Sequence, residues 1–129
     1  MIRASIITPN GFKKEFETTK ITITSTDGER GILPNHMPVT FMLDIGKMET
    51  VENGEKCTYA IAGGVFYFEN NEATILVNSF ESKEDIDLNR AIASRDRQVA
   101  KLNSKDINID MKRAQISLQR ALNRIKIAG

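Results

Sequence analysis

The sequence predicts an α+β chain in two parts. An N-terminal antiparallel β-sandwich is expected over residues 1–84, followed by a C-terminal antiparallel α-helical hairpin over residues 85–129. Three observations lead there. Apolar residues recur with a period of two up to Ser79, then at spacings of three and four from Leu88 onward. Asparagine- and aspartate-glycine pairs punctuate the first part and not the second. The charge also changes sign: residues 1–86 hold 8 basic and 13 acidic side chains, whereas residues 87–129 hold 10 basic and 4 acidic ones.

Each strand has its own signal. In Ile2–Ile7, Ile2, Ala4 and Ile6 share one face. Ile21–Ser25 alternates isoleucine with threonine, as a half-buried strand does. Gly64–Glu69 is aromatic and β-branched, and Ala73–Ser79 is a compact β-branched run. Between them lie Asn10-Gly11, Asp27-Gly28, Asn53-Gly54 and Asn70-Asn71, residues that tolerate the positive φ of tight turns. Asn53-Gly54 joins two short runs with no spare chain, which predicts a hairpin. Gly63-Gly64 reads as a bulge or a close backbone approach between strands.

The helices follow. Leu88, Ala91, Ile92, Val99 and Leu102 keep helical spacing, with Arg95 in the remaining apolar slot; Asp85 or Asp87 caps the start. Met111, Ala114, Leu118, Ala121 and Ile125 form a second stripe, capped by Asn108 or Asp110. Asn103–Asn108 is short and polar, a loop for an antiparallel pair. Helices of about 16 residues are near the lower limit for independent stability in water. With one narrow apolar stripe each, their docked form is expected to be marginal and open to switching.

Composition narrows the function. No apolar run approaches the roughly 20 residues that span a bilayer, and the N-terminus lacks a signal peptide's apolar stretch, so an intracellular protein is expected. Cys57 has no internal disulfide partner and reads as an apolar filler in a strand rather than a reactive thiol. With a single histidine, His36, no catalytic set and no metal cluster is expected. Four arginines do make a pattern. Arg90 and Arg97 are seven apart on the first helix; Arg120 and Arg124 are four apart on the second. In an antiparallel pair, position 90 falls between Arg120 and Arg124. Four guanidinium groups would converge there on a ligand such as a polyphosphate. The alternative is that they pair with Asp87, Asp96 or the acidic first part, or face water. A nucleic-acid module is disfavoured because the basic part lacks stacking aromatics and its charge is interrupted by Asp96, Asp106 and Asp110. A stand-alone hydrolase is disfavoured because no catalytic constellation is visible.

Three stretches resemble the epsilon subunit of F-type ATP synthases: Arg30–Thr40 (RGILPNHMPVT), Ala60–Leu76 (AIAGGVFYFENNEATIL) and Glu84–Ala91 (EDIDLNRA). Asn35 stands where the family commonly has glycine, and Ala62 where it has serine. The resemblance covers essentially the whole chain. It implies a sandwich followed by a helical hairpin, and a non-catalytic rotor subunit in the central stalk. That subunit binds the gamma subunit and the c-ring, peripherally at the cytoplasmic face of the membrane. It couples ion translocation to ATP synthesis, and its helices can extend toward the alpha/beta hexamer to restrain hydrolysis. The resemblance also implies ATP as a regulatory ligand, with no obligatory cofactor. The ligand's residues would be Glu81, Ile86, Asp87, Arg90, Ala91, Arg97, Arg120 and Arg124. Ile86 and Ala91 would lie near the base or sugar, and Glu81 and Asp87 would accept hydrogen bonds or hold arginines. Partner contacts would come from Glu29, Gly31, Pro34 and His36. For Glu29 the alternative is an exposed turn residue, for His36 a satisfied loop histidine, and for Pro34 and Pro38 a role in loop shape.

Overall fold

The turn residues adopt the backbone expected of them. Gly11, Gly28, Asn53, Gly54, Asn70 and Asn71 all have φ between 52° and 117°. At Asn53-Gly54 and Asn70-Asn71 both central residues are left-handed, the condition for a hairpin turn whose twist matches its strands. A computed structural model describes residues 1–104, 106 and 108–129. These divide into two compact units, Met1–Lys83 and Glu84–Gly129.

The first unit holds β1 (Ile2–Ile7), β2 (Lys13–Thr18), β3 (Ile21–Ser25), β4 (Gly28–Ile32), β5 (Val39–Glu52), β6 (Glu55–Glu69), β7 (Glu72–Val77) and β8 (Phe80–Ser82). Hydrogen bonding runs β2-β1-β7-β6-β5-β3-β4, with β8 added to β6. Strand β1 pairs parallel with β7; the other pairings are antiparallel. Ile2 and Ile6 from one side of this path share a single buried cluster with Ile21, Ile23 and Ile32 from the other, so the sheet folds over itself into a sandwich.

The long strands β5 and β6 carry the chain from one half to the other. The β6 residues Gly64–Glu69 pair with β7, whereas Tyr59–Ile61 pair with β8. Gly63 and Gly64 sit at this handover with φ of 72° and 143°. A Cβ on Gly64 would lie 1.9 Å from the Leu76 carbonyl oxygen, so the glycine pair marks a close backbone approach. Strand β2 had no clear sequence signal: in KKEFET, Phe16 is the sole apolar side chain.

A polar cluster closes one flank of the sandwich. Glu52 accepts from Tyr59 Oη and Thr50 Oγ1, both at 2.6 Å, and Lys14 Nζ reaches Glu52 at 3.3 Å and Tyr59 Oη at 2.7 Å. Phe80 stacks on Tyr59 at 4.6 Å. Burial pushes the Tyr59 phenol far up, and its bond to Glu52 adds to this. Burial also works to raise the Glu52 carboxyl, but hydrogen bonds from Thr50 and Tyr59 and the Lys14 charge outweigh it and hold the group below the usual range. Burial, then Glu52, raises the Cys57 thiol, which stays protonated against the core as a filler.

A short 3-10 turn (Lys83–Asp85) spans the boundary and leads to the second unit's α1 (Leu88–Leu102), against which α2 (Met111–Ala128) packs. Asp87 rather than Asp85 caps α1, accepting from the Arg90 N–H at 3.0 Å. Asp110 rather than Asn108 caps α2, accepting from the Arg113 N–H at 3.0 Å. The expected loop Asn103–Asn108 includes Lys105 and Ile107, which lie outside the described residues. The apolar stripes need correction. Leu88, Val99 and Met111 are 36%, 42% and 38% exposed, while Ala91, Gln98, Ala114 and Ala121 are buried. Small side chains let two helices approach closely, and Leu88, Val99 and Met111 lie to the side of that line.

Two measurements test this account. Gly64→Ala should lower stability by about 1–3 kcal/mol or more in denaturant titration, because the methyl meets fixed backbone. Glu52 has a depressed folded pKa, so its contribution is complete above the unfolded carboxylate range and is lost as pH falls through the folded value. The stability advantage of the wild type over Glu52→Gln should therefore be largest near neutral pH and shrink steadily below about pH 4. A gap that does not vary with pH would contradict it.

Candidate functional site: the basic flank of the helix pair

Successive helical residues are rotated by about 100°. On α1 the contact line is Ala91 and Gln98; on α2 it is Ala114 and Ala121. The residue just before each lies about 100° to one side, and the residue three after lies about 60° to that same side. On α1 this flank is Arg90, Ser94, Arg97 and Lys101; on α2 it is Arg113, Ser117, Arg120 and Arg124. Spacings are four, three and four on both helices.

For two antiparallel helices meeting along those lines, the two flanks fall on the same side of the pair. A groove of about 520 Å³ joins them at the loop end, lined among others by Gln98 and Lys101 of α1 and Arg113, Ala114 and Ser117 of α2. That places the end of α1 beside the start of α2. Toward the other end, Arg97 falls at the level between Arg113 and Arg120, and Arg90 at about that of Arg124, from the rise of about 1.5 Å per residue. The four arginines singled out in the sequence thus line one side of one unit. Arg90, Arg97 and Arg120 are exposed and Arg124 is half-buried. Among the described residues, Arg90, Arg97 and Arg120 have no carboxylate in ion-pair range. One ion pair of this unit, Arg95 with Asp96 at 3.1 Å, lies away from the flank.

The remaining predicted residues are placed differently. Asp87 is the cap of α1 and is exposed; Ile86, before it, is half-buried. Ala91 is 4% exposed on the contact line, so it governs how closely the helices approach and presents little surface to a ligand. Glu81 belongs to the first unit, on β8, in register with Ala60. Sequence reasoning missed Lys101, Arg113, Ser94 and Ser117, although the repeated four-three-four spacing was there to be read. Among the described residues, no group of three or more His, Cys, Asp or Glu could hold a metal ion. No helix of the described residues is long and apolar enough to cross a membrane.

On the sandwich, Glu29 and Gly31 are exposed on the same face of β4. Pro34 and His36 are half-buried in the following loop. His36 Nδ1 meets the Met37 carbonyl at 2.7 Å and its ring stands edge-on to Phe68 at 5.9 Å, which makes it a satisfied loop histidine. Asn35 takes φ 67°, the conformation glycine adopts readily, and its side-chain oxygen accepts from Asn71 Nδ2 at 3.0 Å. A second feature was not read from the sequence. Met42, Val65, Leu76 and Ile7 are consecutive partners across β5, β6, β7 and β1. This row faces outward, with Met42 56% and Leu76 46% exposed. Contiguous exposed apolar patches are where protein surfaces dock on partners when they are large enough.

Comparisons with known proteins agree along the whole chain. Residues 1–83 match the ATP synthase delta/epsilon chain β-sandwich domain, and residues 84–129 match the long α-helix domain of the same chain. An ATP synthase epsilon chain of Bacillus velezensis is 33% identical over 128 residues, covering 99% of this chain and 97% of that one. Another, of Desulforamulus reducens, is 36% identical over 126 residues, covering 98% and 96%. A chain in the Euglena gracilis mitochondrial ATP synthase (OSCP/F1/c-ring) superposes with a TM-score of 0.81 at 23% identity, over 95% of this chain and 78% of that one. One in the central stalk/c-ring structure of the Tetrahymena thermophila enzyme gives 0.64 at 14% identity, over 99% and 96%; both structural likenesses speak to fold. With both units matched and relatives above 30% identity spanning nearly its full length, the chain belongs to the ATP synthase delta/epsilon chain family.

Proposed function

We propose that this protein is a non-catalytic rotor subunit of an F-type ATP synthase whose helix pair senses ATP. The observation that carries the sensor reading is the one-sided row of Arg90, Arg97, Arg120 and Arg124, three of them without a carboxylate partner. Guanidinium groups from two helices match the oxygens of a triphosphate, each charge-assisted bond contributing about 1.5–3 kcal/mol. Binding without turnover is expected, because the flank carries arginines, a lysine and two serines and no group suited to take a proton from water. Asp87 is turned to its helix cap.

ATP then acts as a clip. A ligand specific for the closed pair, at 100 times its dissociation constant, stabilises it by about 2.7 kcal/mol, a shift of roughly a hundredfold. When ATP is scarce the helices extend toward the alpha/beta hexamer and restrain hydrolysis. The sandwich docks on the gamma subunit and the c-ring, which keeps the chain peripheral at the cytoplasmic face of the membrane and lets it couple ion translocation to ATP synthesis. The Met42–Val65–Leu76–Ile7 row supports such docking, with Glu29 and Gly31 of β4 and the Pro34–His36 loop as the polar contacts.

Arg90→Ala and Arg124→Ala should each weaken ATP binding by about tenfold or more, measured by calorimetry on the isolated protein. Unchanged affinity in both removes the site. Leu76→Glu should leave ATP affinity as in the wild type and reduce co-purification with the rotor subunits; full assembly of this variant argues against docking through the apolar row.

A further inference from the structure

We infer that the loop end of the helix pair holds a second anion site, which takes a phosphate group independently of the arginines at the open end. The groove of about 520 Å³ there is lined by Gln98, Lys101, Asn108, Ile109, Asp110, Arg113, Ala114 and Ser117. Its size is in the range of small-ligand sites. Lys101 and Arg113 face it from opposite helices, and neither has a carboxylate in ion-pair range among the described residues.

Gln98 is the decisive residue. It is 92% buried, at 8% exposure, yet its side-chain amide has no hydrogen-bond partner among the described residues. No fully enclosed side-chain polar atom among them lacks a partner, so this amide reaches solvent through the groove it lines. A glutamine on the helix contact line, its amide open to the groove, supplies both a neutral donor and an acceptor there. Ser117 adds a half-buried hydroxyl from α2. The one carboxylate in the lining, Asp110, is directed to the Arg113 N–H. An ammonium, a guanidinium, an amide and a hydroxyl line the same groove, a donor set suited to a compact, acceptor-rich anion. Lys101 and Arg113 are each 11 residues, about 16 Å of helix, from Arg90 and Arg124, farther than a single phosphate group can span.

The test is a titration of the full chain with inorganic phosphate at constant ionic strength, followed by NMR. Saturable shifts are expected in the Gln98 side-chain amide and the Ser117 amide. Lys101→Gln or Arg113→Gln should weaken them at least tenfold and Lys101→Arg should retain them. The Arg90→Ala/Arg124→Ala double variant should behave as the wild type toward phosphate, even where its ATP binding is lost. Four results overturn the inference: shifts that grow linearly without saturation, shifts reproduced by chloride, shifts indifferent to Lys101→Gln and Arg113→Gln, or shifts that appear with ATP alone and vanish in the double variant. The last would assign the groove to the phosphate chain of ATP. Circular dichroism of each variant separates loss of the site from loss of the helices.

Discussion

Two helices that meet through small side chains have no freedom in what they present on either side. Ala91, Ala114 and Ala121 set the line of contact, and the helical repeat then dictates which residues flank it. One flank receives Arg90, Ser94, Arg97 and Lys101 with Arg113, Ser117, Arg120 and Arg124. The other receives Leu88, Ile92, Arg95 and Val99 with Met111, Gln115, Leu118 and Leu122. The pair is therefore amphipathic across its width, basic on one side and mostly apolar on the other. Shifting the contact line by one residue on one helix would rotate its arginines about 100° and take them away from their counterparts. Small residues on the contact line thus do chemical as well as structural service: they hold cations of separate helices on a common side.

The sandwich solves a different problem with the same economy. Strands β5 and β6 must serve both halves of a folded sheet, and β6 can change neighbours only where its backbone comes hard against β7. Gly63 and Gly64 supply that point, since at Gly64 even a methyl group would collide with the Leu76 carbonyl. Leu76 itself points outward in the row with Val65 and Met42, so the backbone contact that shapes the fold lies directly beneath the surface proposed for docking. The polar cluster of Lys14, Glu52, Thr50 and Tyr59 ties β2 to β5 and β6, giving the weakly apolar β2 a fixed place.

Much of this was legible because it rests on local rules. The bounds of β1, β3 and α1 coincide with the apolar runs that announced them, and both helices begin at an aspartate of the expected segment. What escaped was set by tertiary contact. Strand β2 exists because β1 offers it an edge, not because KKEFET favours a strand. The apolar spacing places Val99 in the stripe and leaves Gln98 out of it, whereas in the structure Gln98 is buried and Val99 is 42% exposed. The arginines were found from spacing alone, because seven and four are helical intervals. Lys101 and Arg113 follow the same intervals, four residues after Arg97 and seven before Arg120.

The energetics favour a sensor governed by its ligand rather than by repulsion. Two guanidinium groups one helical turn apart, at about 6 Å, repel by about 0.7 kcal/mol in water, and physiological salt reduces that further. Even several such pairs along an exposed flank cost less than an ATP clip supplies. On the proposed reading, charge alone would not drive the pair open; its expected marginality would come from the small apolar area that alanines bury. Arg90, Arg97 and Arg120 matter because they have little to lose: exposed, and without a carboxylate in ion-pair range among the described residues, they give up no such contact when a triphosphate arrives. Had Asp96 been placed beside Arg97 on the flank, rather than paired with Arg95 away from it, each binding event would first have to break a salt bridge. The position of that one acidic residue therefore supports a ligand-receiving flank over a self-neutralised helix surface.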